Sequence, residues 1–238
     1  MSNCDNYNQE ILNIWQSALW NQPDLFWSPL LKLNPLLIPT DPPRNPIIIL
    51  GINPSHSEKM LSAMITSEDL ELFFEPITSI QQPEAIRLKQ VQIQMHNELP
   101  YFSQIKKFLT ETCNINREAC WFLDLFPIRH TAQHEAMVFL HNNQEIREQL
   151  LQSFIKLISS IAPAGLIILN ATGSKLFADL FRDQLRYEAN RRSEATLTLT
   201  KGCVPVVFAG MITGAGQMDS FSKERLAEDL KSHFASNV

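Results

Sequence analysis

Short apolar runs alternate with amphipathic stretches along most of the chain. The runs that predict strands are IIIL (47–50), ACWFLDLF (119–126), GLIILNA (165–171) and VPVVFAG (204–210). Continuous apolar runs of this length are typical of strands that are buried on both faces. A further segment, TLTLT (196–200), alternates between polar and apolar residues, as a more exposed strand does.

Apolar residues recur with a helical period between these runs. The predicted helices cover residues 9–19, 67–77, 83–99, 100–112, 142–162, 173–185 and 220–234. Strands that alternate with helices predict a three-layer α/β/α fold with a central, mostly parallel sheet of four to five strands. We expect a single domain over 1–238, with an N-terminal helix and proline-rich segment (1–45) that crosses the surface, and a helical insertion (57–99).

Composition narrows the class of protein. The chain has 238 residues, of which 45% are hydrophobic, and no apolar run approaches the ~20 residues that span a bilayer. The N-terminus lacks the basic start and apolar core of a secretory signal, so a cytoplasmic protein is expected. The net charge of −5 counts against broad nonspecific binding to nucleic acid. The four cysteines form no C-x-x-C pair and predict buried free thiols.

Small and polar residues follow three of the predicted strands, in GINPSH (51–56), DLFPIRH (124–130) and GMITGAGQMD (210–219). In parallel α/β sheets, ligands bind beyond the carboxyl ends of the strands. Each segment also has a structural interpretation. The first is an ordinary turn, the second an ion pair between Asp124 and Arg129, and the third a turn in which Asp219 or Ser220 caps the next helix.

In this order, the three segments and PYFSQIKKFL (100–109) resemble the motifs of the uracil-DNA glycosylase superfamily. GINPS resembles the first motif of the mismatch-specific and single-strand-selective branches. FLDLFPIR resembles the strand that carries the base-reading residue, and MITGAGQ resembles the second motif. The similarity spans roughly residues 45 to 232. It implies a uracil-DNA glycosylase-like fold that flips a base out of DNA and hydrolyses its N-glycosidic bond.

The resemblance assigns roles to individual residues. Asn53 would position the water through its side-chain amide, and Tyr101, or else Phe102, would stack on the flipped base. Backbone N–H groups near Ser55 and from Gly214 to Gly216 would hold phosphates. The remaining candidates are His56, a pocket residue or a surface turn residue, and Gln217 and Met218, which are wedge residues or parts of an ordinary loop.

Three departures from the family pattern bear on the substrate. Met211 stands where many members have a His that donates to the base O2, so Thr213 or a backbone N–H would have to substitute. Ser55 replaces a Tyr that blocks substituents on carbon 5, which leaves that space open. Asp124 replaces the uracil-reading Asn, and an ionised Asp accepts from the N4 amino group of cytosine but donates to nothing.

These residues predict a monofunctional DNA glycosylase for a 5-substituted cytosine, with no lyase step. The chain is similar to superfamily members that act in phage defence on glucosylated hydroxymethylcytosine. The alternatives are repair of uracil or mismatched thymine, a non-catalytic nucleic-acid-binding module on the same fold, and an unrelated α/β enzyme acting on small nucleotides. DNA is the expected partner of a monomer that uses no cofactor and no metal. His130 and His134 lie four apart, but no carboxylate or thiol completes a metal set.

Overall fold

The fold is described by a computed structural model that covers residues 2–21, 31–39, 41–55, 57–189, 191–213 and 217–234. Three of the predicted site residues, His56, Gly214 and Gly216, lie outside these ranges. The described chain divides into two compact units. Unit 1 consists of Met1–Asp41, Asn53–Met95 and Asp124–Leu157, and unit 2 consists of Pro42–Ile52, His96–Leu123 and Ile158–Val238.

A six-stranded sheet in the order β2-β1-β3-β6-β5-β4 confirms the predicted α/β class, with one strand more than the largest number predicted. β1 is parallel to β3 and β3 to β6, whereas β4, β5 and β6 form antiparallel pairs. The strands are β1 (Ile47–Gly51), β2 (Cys120–Asp124), β3 (Gly165–Ile168), β4 (Leu185–Glu188), β5 (Arg191–Leu199) and β6 (Gly202–Phe208).

The helices follow the amphipathic stretches. They are α1 (Asn3–Asn21), α2 (Glu58–Leu61), α3 (Ser67–Glu71), α4 (Pro83–Glu98), α5 (Pro100–Lys107), α6 (Gln133–Asn142), α7 (Gln144–Ile161), α8 (Ala171–Leu180) and α9 (Ser220–Phe234). A π-helical turn, Phe108–Thr112, continues α5. The prediction for 173–185 is wrong at its end, because Leu185 already pairs with Leu197 in the β4–β5 ladder.

Helices cover two faces of the sheet within unit 2. Alternate residues of neighbouring strands, such as Ile49, Ile167 and Val207, pack in one core with residues of α5 and α9. The residues that alternate with these along each strand point to the opposite face of the sheet. On that face, Phe208 meets Phe177 of α8 with ring centres 6.3 Å apart. This alternation follows from the two-residue period of a strand, and it explains why the parallel strands are apolar throughout.

The prediction that the proline-rich segment crosses the surface is wrong for residues 31–38. These residues are buried except for an exposed Lys32, and protein groups satisfy their backbone. The Asn8 side chain both donates to and accepts from the backbone of Ile38, at 2.8 and 2.9 Å, and the N–H of Leu36 donates to Pro127 O at 2.9 Å. Because these bonds replace water, the segment can be buried without a ladder of its own.

The predicted insertion 57–99 contains α2, α3 and α4, which agrees with its helical character. The buried Asp69 of α3 forms a bidentate pair with Arg87 of α4, at 2.7 and 2.8 Å. That guanidinium lowers the pKa of the Asp69 carboxyl. Among the described helices, none has the length and apolar character that crossing a membrane requires.

Candidate functional site

The segment that leaves β1 is bonded to the segment that leaves β2, within unit 1. Asn53 Nδ2 donates to the carbonyl oxygens of His130 and Ile128, at 2.8 and 3.3 Å. In return, the N–H of His130 donates to Pro54 O at 3.0 Å. These bonds fix the orientation of the Asn53 amide, because only its nitrogen can donate. No hydrogen bond from the described chain reaches its Oδ1, which leaves an oriented acceptor.

Asp124 is the last residue of β2. The residue is partly exposed, yet within the described residues its carboxyl makes neither a hydrogen bond nor an ion pair. Burial raises the pKa of Asp124 to about 7, and the charge of Arg129 opposes that rise. The ion pair considered from the sequence is therefore not formed as a contact. At neutral pH, the carboxyl is present in both its ionised and its protonated form.

Arg129 is almost entirely buried, with 2% of its surface exposed. Its Nε donates to Asn34 O at 3.0 Å, and its guanidinium carbon lies 4.7 Å from the centre of the Phe73 ring. Its Nη2 finds no hydrogen-bond partner within the described ranges. A buried unsatisfied donor costs about 1–3 kcal/mol, and more when it is charged. Burial lowers the pKa of Arg129 to about 9, and the charge of Asp124 opposes that change.

Tyr7 of α1 contributes to the same polar interior of unit 1. The residue is 5% exposed, and burial, together with the charge of Asp124, raises the pKa of its hydroxyl well above the ordinary value. Tyr7 was not identified from the sequence, and Arg129 was considered only as a structural partner of Asp124. An arginine at the end of the apolar run LFPIR was the available signal for Arg129, whereas Tyr7 carried none.

The two candidate stacking rings belong to α5 in unit 2, and they have different surroundings. Phe102 meets the rings of His96, Phe122 and Tyr101 edge-on, at centre distances of 4.5, 4.8 and 5.2 Å. It also packs against the hydrophobic core. Tyr101 is 39% exposed. The surroundings of Phe102 indicate a packing role, and Tyr101 is the more accessible of the two rings.

Lys106 lies on the same helix and is mostly buried. Its Nζ donates to Asn97 Oδ1 at 2.8 Å and lies 5.7 Å from the centre of the Phe122 ring. Burial lowers its pKa, and the nearby charge of Arg117 adds to the effect. These contacts account for Lys106 as a packed, hydrogen-bonded cation. The absence of a lyase step stays a prediction.

In the second motif, Thr213 is the residue with an unused polar group. Thr213 is 7% exposed, and its Oγ1 has no hydrogen-bond partner among the residues that the structure describes. Met211 is partly exposed, and its carbonyl accepts from the N–H of Met218 at 2.8 Å. The Thr213 hydroxyl is therefore a donor that the fold leaves available, whereas the Met211 side chain has no donor to offer.

The two wedge candidates also differ. Met218 packs against the core of unit 2, and a Cβ added at Gly210 would come within 2.9 Å of its Cγ. Gln217 is exposed, and its Oε1 accepts from Lys223 Nζ at 3.1 Å. Met218 is therefore held by packing, whereas Gln217 is the more exposed of the two side chains.

Two polar residues have structural roles as helix caps, and the sequence allowed this role for Asp219. Asp219 caps α9, because its Oδ1 accepts from the N–H of Ser222 at 2.8 Å, and that bond lowers the pKa of Asp219. Asn170 caps α8, with its Oδ1 accepting from the N–H groups of Thr172 and Gly173 at 2.8 and 3.3 Å. The oxygen of Asn170 is thus occupied, in contrast to that of Asn53.

The predicted site residues are divided between the units. Unit 1 contains Asn53, Ser55 and Asp124, and unit 2 contains Tyr101, Phe102, Met211, Thr213, Gln217 and Met218. Ser55 is exposed. In the part of the chain that the structure describes, no three His, Cys, Asp or Glu residues are grouped for a metal ion. His130 instead contacts its own segment, accepting from the N–H of Ala132 at 3.1 Å.

No protein-family model matches this chain, and no curated protein matches it. The functional interpretation therefore depends on the residues themselves. The strongest of them is the oriented amide of Asn53, followed by the unpaired carboxyl of Asp124 and the unpartnered groups of Arg129 and Thr213.

Proposed function

We propose that the protein is a monofunctional DNA glycosylase that excises a 5-substituted cytosine and leaves an abasic site. The observation that supports this proposal most is the orientation of Asn53. Its nitrogen is held by the carbonyls of Ile128 and His130, and its oxygen is left to accept a hydrogen bond. An acceptor held in this way is what a water molecule needs in order to be aimed at an anomeric carbon.

The reaction breaks the bond between the sugar C1′ and the base nitrogen. The bonding electron pair leaves with the base, the water oxygen bonds to C1′, and the proton that the water loses is passed through solvent to the departing base. Asn53 Oδ1 orients this water but removes its proton poorly, because an amide is a weak base. Catalysis then depends largely on stabilising the departing base.

Asp124 is proposed to read the base. When ionised, it accepts from the N4 amino group of cytosine and repels the O4 of uracil. When protonated, it has both a donor and an acceptor, and it then complements the N3 and N4 of cytosine as well as the O4 and N3 of uracil. Only the ionised form discriminates between the two bases. Because the pKa of Asp124 is about 7, the ionised fraction increases across neutral pH. Selectivity for cytosine over uracil should therefore increase with pH.

By resemblance, Tyr101 stacks on the flipped base and the Thr213 hydroxyl donates to its O2. Stacking contributes about 1–3 kcal/mol per base, which is comparable with the few kcal/mol that flipping costs. The exposure of Tyr101 and the unpartnered Oγ1 of Thr213 support these assignments. Ser55, small and exposed, is consistent with a substituent on carbon 5.

The test is excision from matched duplexes that contain uracil, a G·T mismatch, cytosine, hydroxymethylcytosine or glucosylated hydroxymethylcytosine. Strand cleavage by alkali then reports abasic sites. We expect cleavage only of duplexes with a substituted cytosine. Cleavage of the uracil duplex alone would contradict the role of Asp124. Binding without cleavage of any duplex would indicate a non-catalytic module.

A pair of amide variants tests the water-positioning role. Asn53→Ala should lower the single-turnover rate at least about 100-fold, as losing an oriented polar group does at other active sites, while DNA affinity changes little. Asn170→Ala is the matched control, because its oxygen is occupied by backbone N–H groups. This control should lose about 1 kcal/mol of stability through the helix cap and keep its activity. Equal losses of rate in the two variants would contradict the role of Asn53.

A further inference from the structure

Arg129 has a hydrogen-bonding capacity that the folded chain leaves incomplete. A guanidinium carries five N–H donors and remains charged at neutral pH. Here one donor, Nε, is bonded to Asn34 O, and the Phe73 ring lies against the guanidinium plane. In the described part of the chain Nη2 has no partner, although the residue is almost completely buried.

Arg129 is connected to Asn53 through its neighbours in sequence and to Asp124 through its charge. Its neighbours in sequence, Ile128 and His130, supply the carbonyl oxygens that hold Asn53 Nδ2. Its charge acts on Asp124, and that of Asp124 acts on it, although no ion pair is formed between them. Arg129 Nη2 is therefore a donor and the Asp124 carboxyl an acceptor, each without a partner among the described residues, and their charges interact.

We propose that Arg129 is a further catalytic residue, whose Nη2 donates to an acceptor atom of the base read by Asp124 and whose charge faces the negative charge that develops on the departing base. This proposal rests on the proposed function. The base edge of a cytosine provides both groups that the pair lacks, an N4–H donor for Asp124 and an N3 or O2 acceptor for Arg129.

The charge of Arg129 matches the needs of the bond cleavage. The departing base takes the electron pair of the C1′–N bond, and a fixed positive charge in a buried site stabilises that product. Three ionisable groups interact in this part of unit 1, namely Asp124 of β2, Arg129 and Tyr7 of α1. With Asp124 protonated the group carries a net positive charge, and with Asp124 ionised it is neutral.

The decisive measurement uses the wild-type protein labelled with 15N-arginine. Free cytosine, 5-hydroxymethylcytosine and uracil are titrated in, and the side-chain N–H resonances of Arg129, assigned by their loss in Arg129→Lys, are followed. We expect a saturable shift with 5-hydroxymethylcytosine. An unchanged Arg129 resonance, whether through lack of binding at millimolar base or binding elsewhere, would overturn the proposal.

Variants supply the second measurement. Arg129→Met should weaken binding of the free base about tenfold and slow single-turnover excision about 100-fold. Arg129→Lys, which keeps the charge, should retain more of both activities. Folded Arg129→Met with wild-type base affinity and excision rate would overturn the assignment. If Arg129→Met does not fold, the wild-type titration decides alone.

The two measurements separate this proposal from the proposed function. A shifted Arg129 resonance without excision of any duplex would contradict the proposed glycosylase function, while supporting Arg129 as a base-binding residue. Excision of a substituted cytosine with no change at Arg129 would retain the glycosylase function and remove the role of Arg129.

Discussion

The side-chain nitrogen of Asn53 lies 2.8 Å from the carbonyl oxygen of His130, a residue that follows the neighbouring strand of the sheet. This bond does two things at once. It joins the segments that leave β1 and β2, and it decides which end of the amide remains available for a ligand. The Asn53 side chain therefore has both a structural role and a proposed catalytic role. Substitutions of Asn53 can be tested separately by stability and by excision rate.

Asn53→Asp should destabilise the protein at neutral pH. A carboxylate would face the carbonyl oxygens of His130 and Ile128, where the wild-type amide donates at 2.8 and 3.3 Å. The loss should be about 1–3 kcal/mol, measured by chemical denaturation at pH 8, and smaller at pH 4, where a protonated carboxyl can donate. Asn53→Ala, which introduces no charge, should show no such dependence on pH. A fully stable Asn53→Asp at pH 8 would mean that the two carbonyls do not require a donor.

Asp124→Asn should stabilise the protein increasingly as the pH rises from about 4 to 7. Burial raises the pKa of Asp124 to about 7 in the folded state, so the folded protein keeps a proton that the unfolded chain has lost. Wild-type stability is therefore reduced above the unfolded pKa, by up to about 1.4 kcal/mol per pH unit within this window. Denaturation of both proteins at pH 4, 5.5 and 7 measures the difference. A difference that is constant with pH would show that the pKa is not raised.

The same variant tests the reading of the base. Asparagine can accept from the N3–H of uracil and donate to its O4, whereas the ionised aspartate cannot donate. Excision of the substituted cytosine should fall at least about tenfold in Asp124→Asn, and uracil excision should appear or rise. Parallel assays at pH 8, where wild-type Asp124 is mostly ionised, give the largest contrast. Unchanged substrate preference would leave Asp124 with a structural role alone.

Tyr101→Ala and Phe102→Ala should separate stacking from packing. Both rings lie on α5, but Phe102 is held edge-on by His96 and Phe122, whereas Tyr101 is 39% exposed. In an Asn53→Ala background, which prevents turnover, Tyr101→Ala should weaken binding to the substrate duplex about tenfold with little loss of stability. Phe102→Ala should instead lower the free energy of unfolding by about 2–3 kcal/mol. Fluorescence anisotropy and thermal melting measure the two effects, and a reversed pattern would make Phe102 the stacking ring.

Buried apolar strands are among the parts of the fold that the sequence predicts well. Ile47–Gly51 is a continuous apolar run, and such a run has few alternatives to a buried strand. β4 was not predicted, because Leu185–Glu188 is short and mostly exposed, and pairing with β5 rather than its own pattern makes it a strand. Similarly, nothing local indicates that residues 31–38 are buried, since side chains distant in sequence satisfy their backbone.

The candidate site shows the same limit. Asn53, two residues after the end of β1, marks a possible site, because ligands bind beyond the carboxyl ends of parallel strands. The partners of its amide come from residues 128 and 130, however, and no local pattern predicts them. Arg129 illustrates the point further, since an arginine after an apolar run predicts an ion pair as readily as an unpartnered guanidinium. Only the packing around Phe73 and Asn34 distinguishes these alternatives.

Gly165→Ala should test how closely α9 packs on the sheet in unit 2. A Cβ at Gly165 would lie 2.0 Å from Cε1 of Phe234, whose side chain is almost fully buried, so the ring would have to move. We expect a loss of about 1–3 kcal/mol in the free energy of unfolding, as overpacked cores show. Phe234→Leu removes part of the ring and should recover some of this loss in the double variant, with a coupling energy of at least about 0.5 kcal/mol. Additive effects of the two substitutions would indicate that α9 shifts freely rather than resting on Gly165.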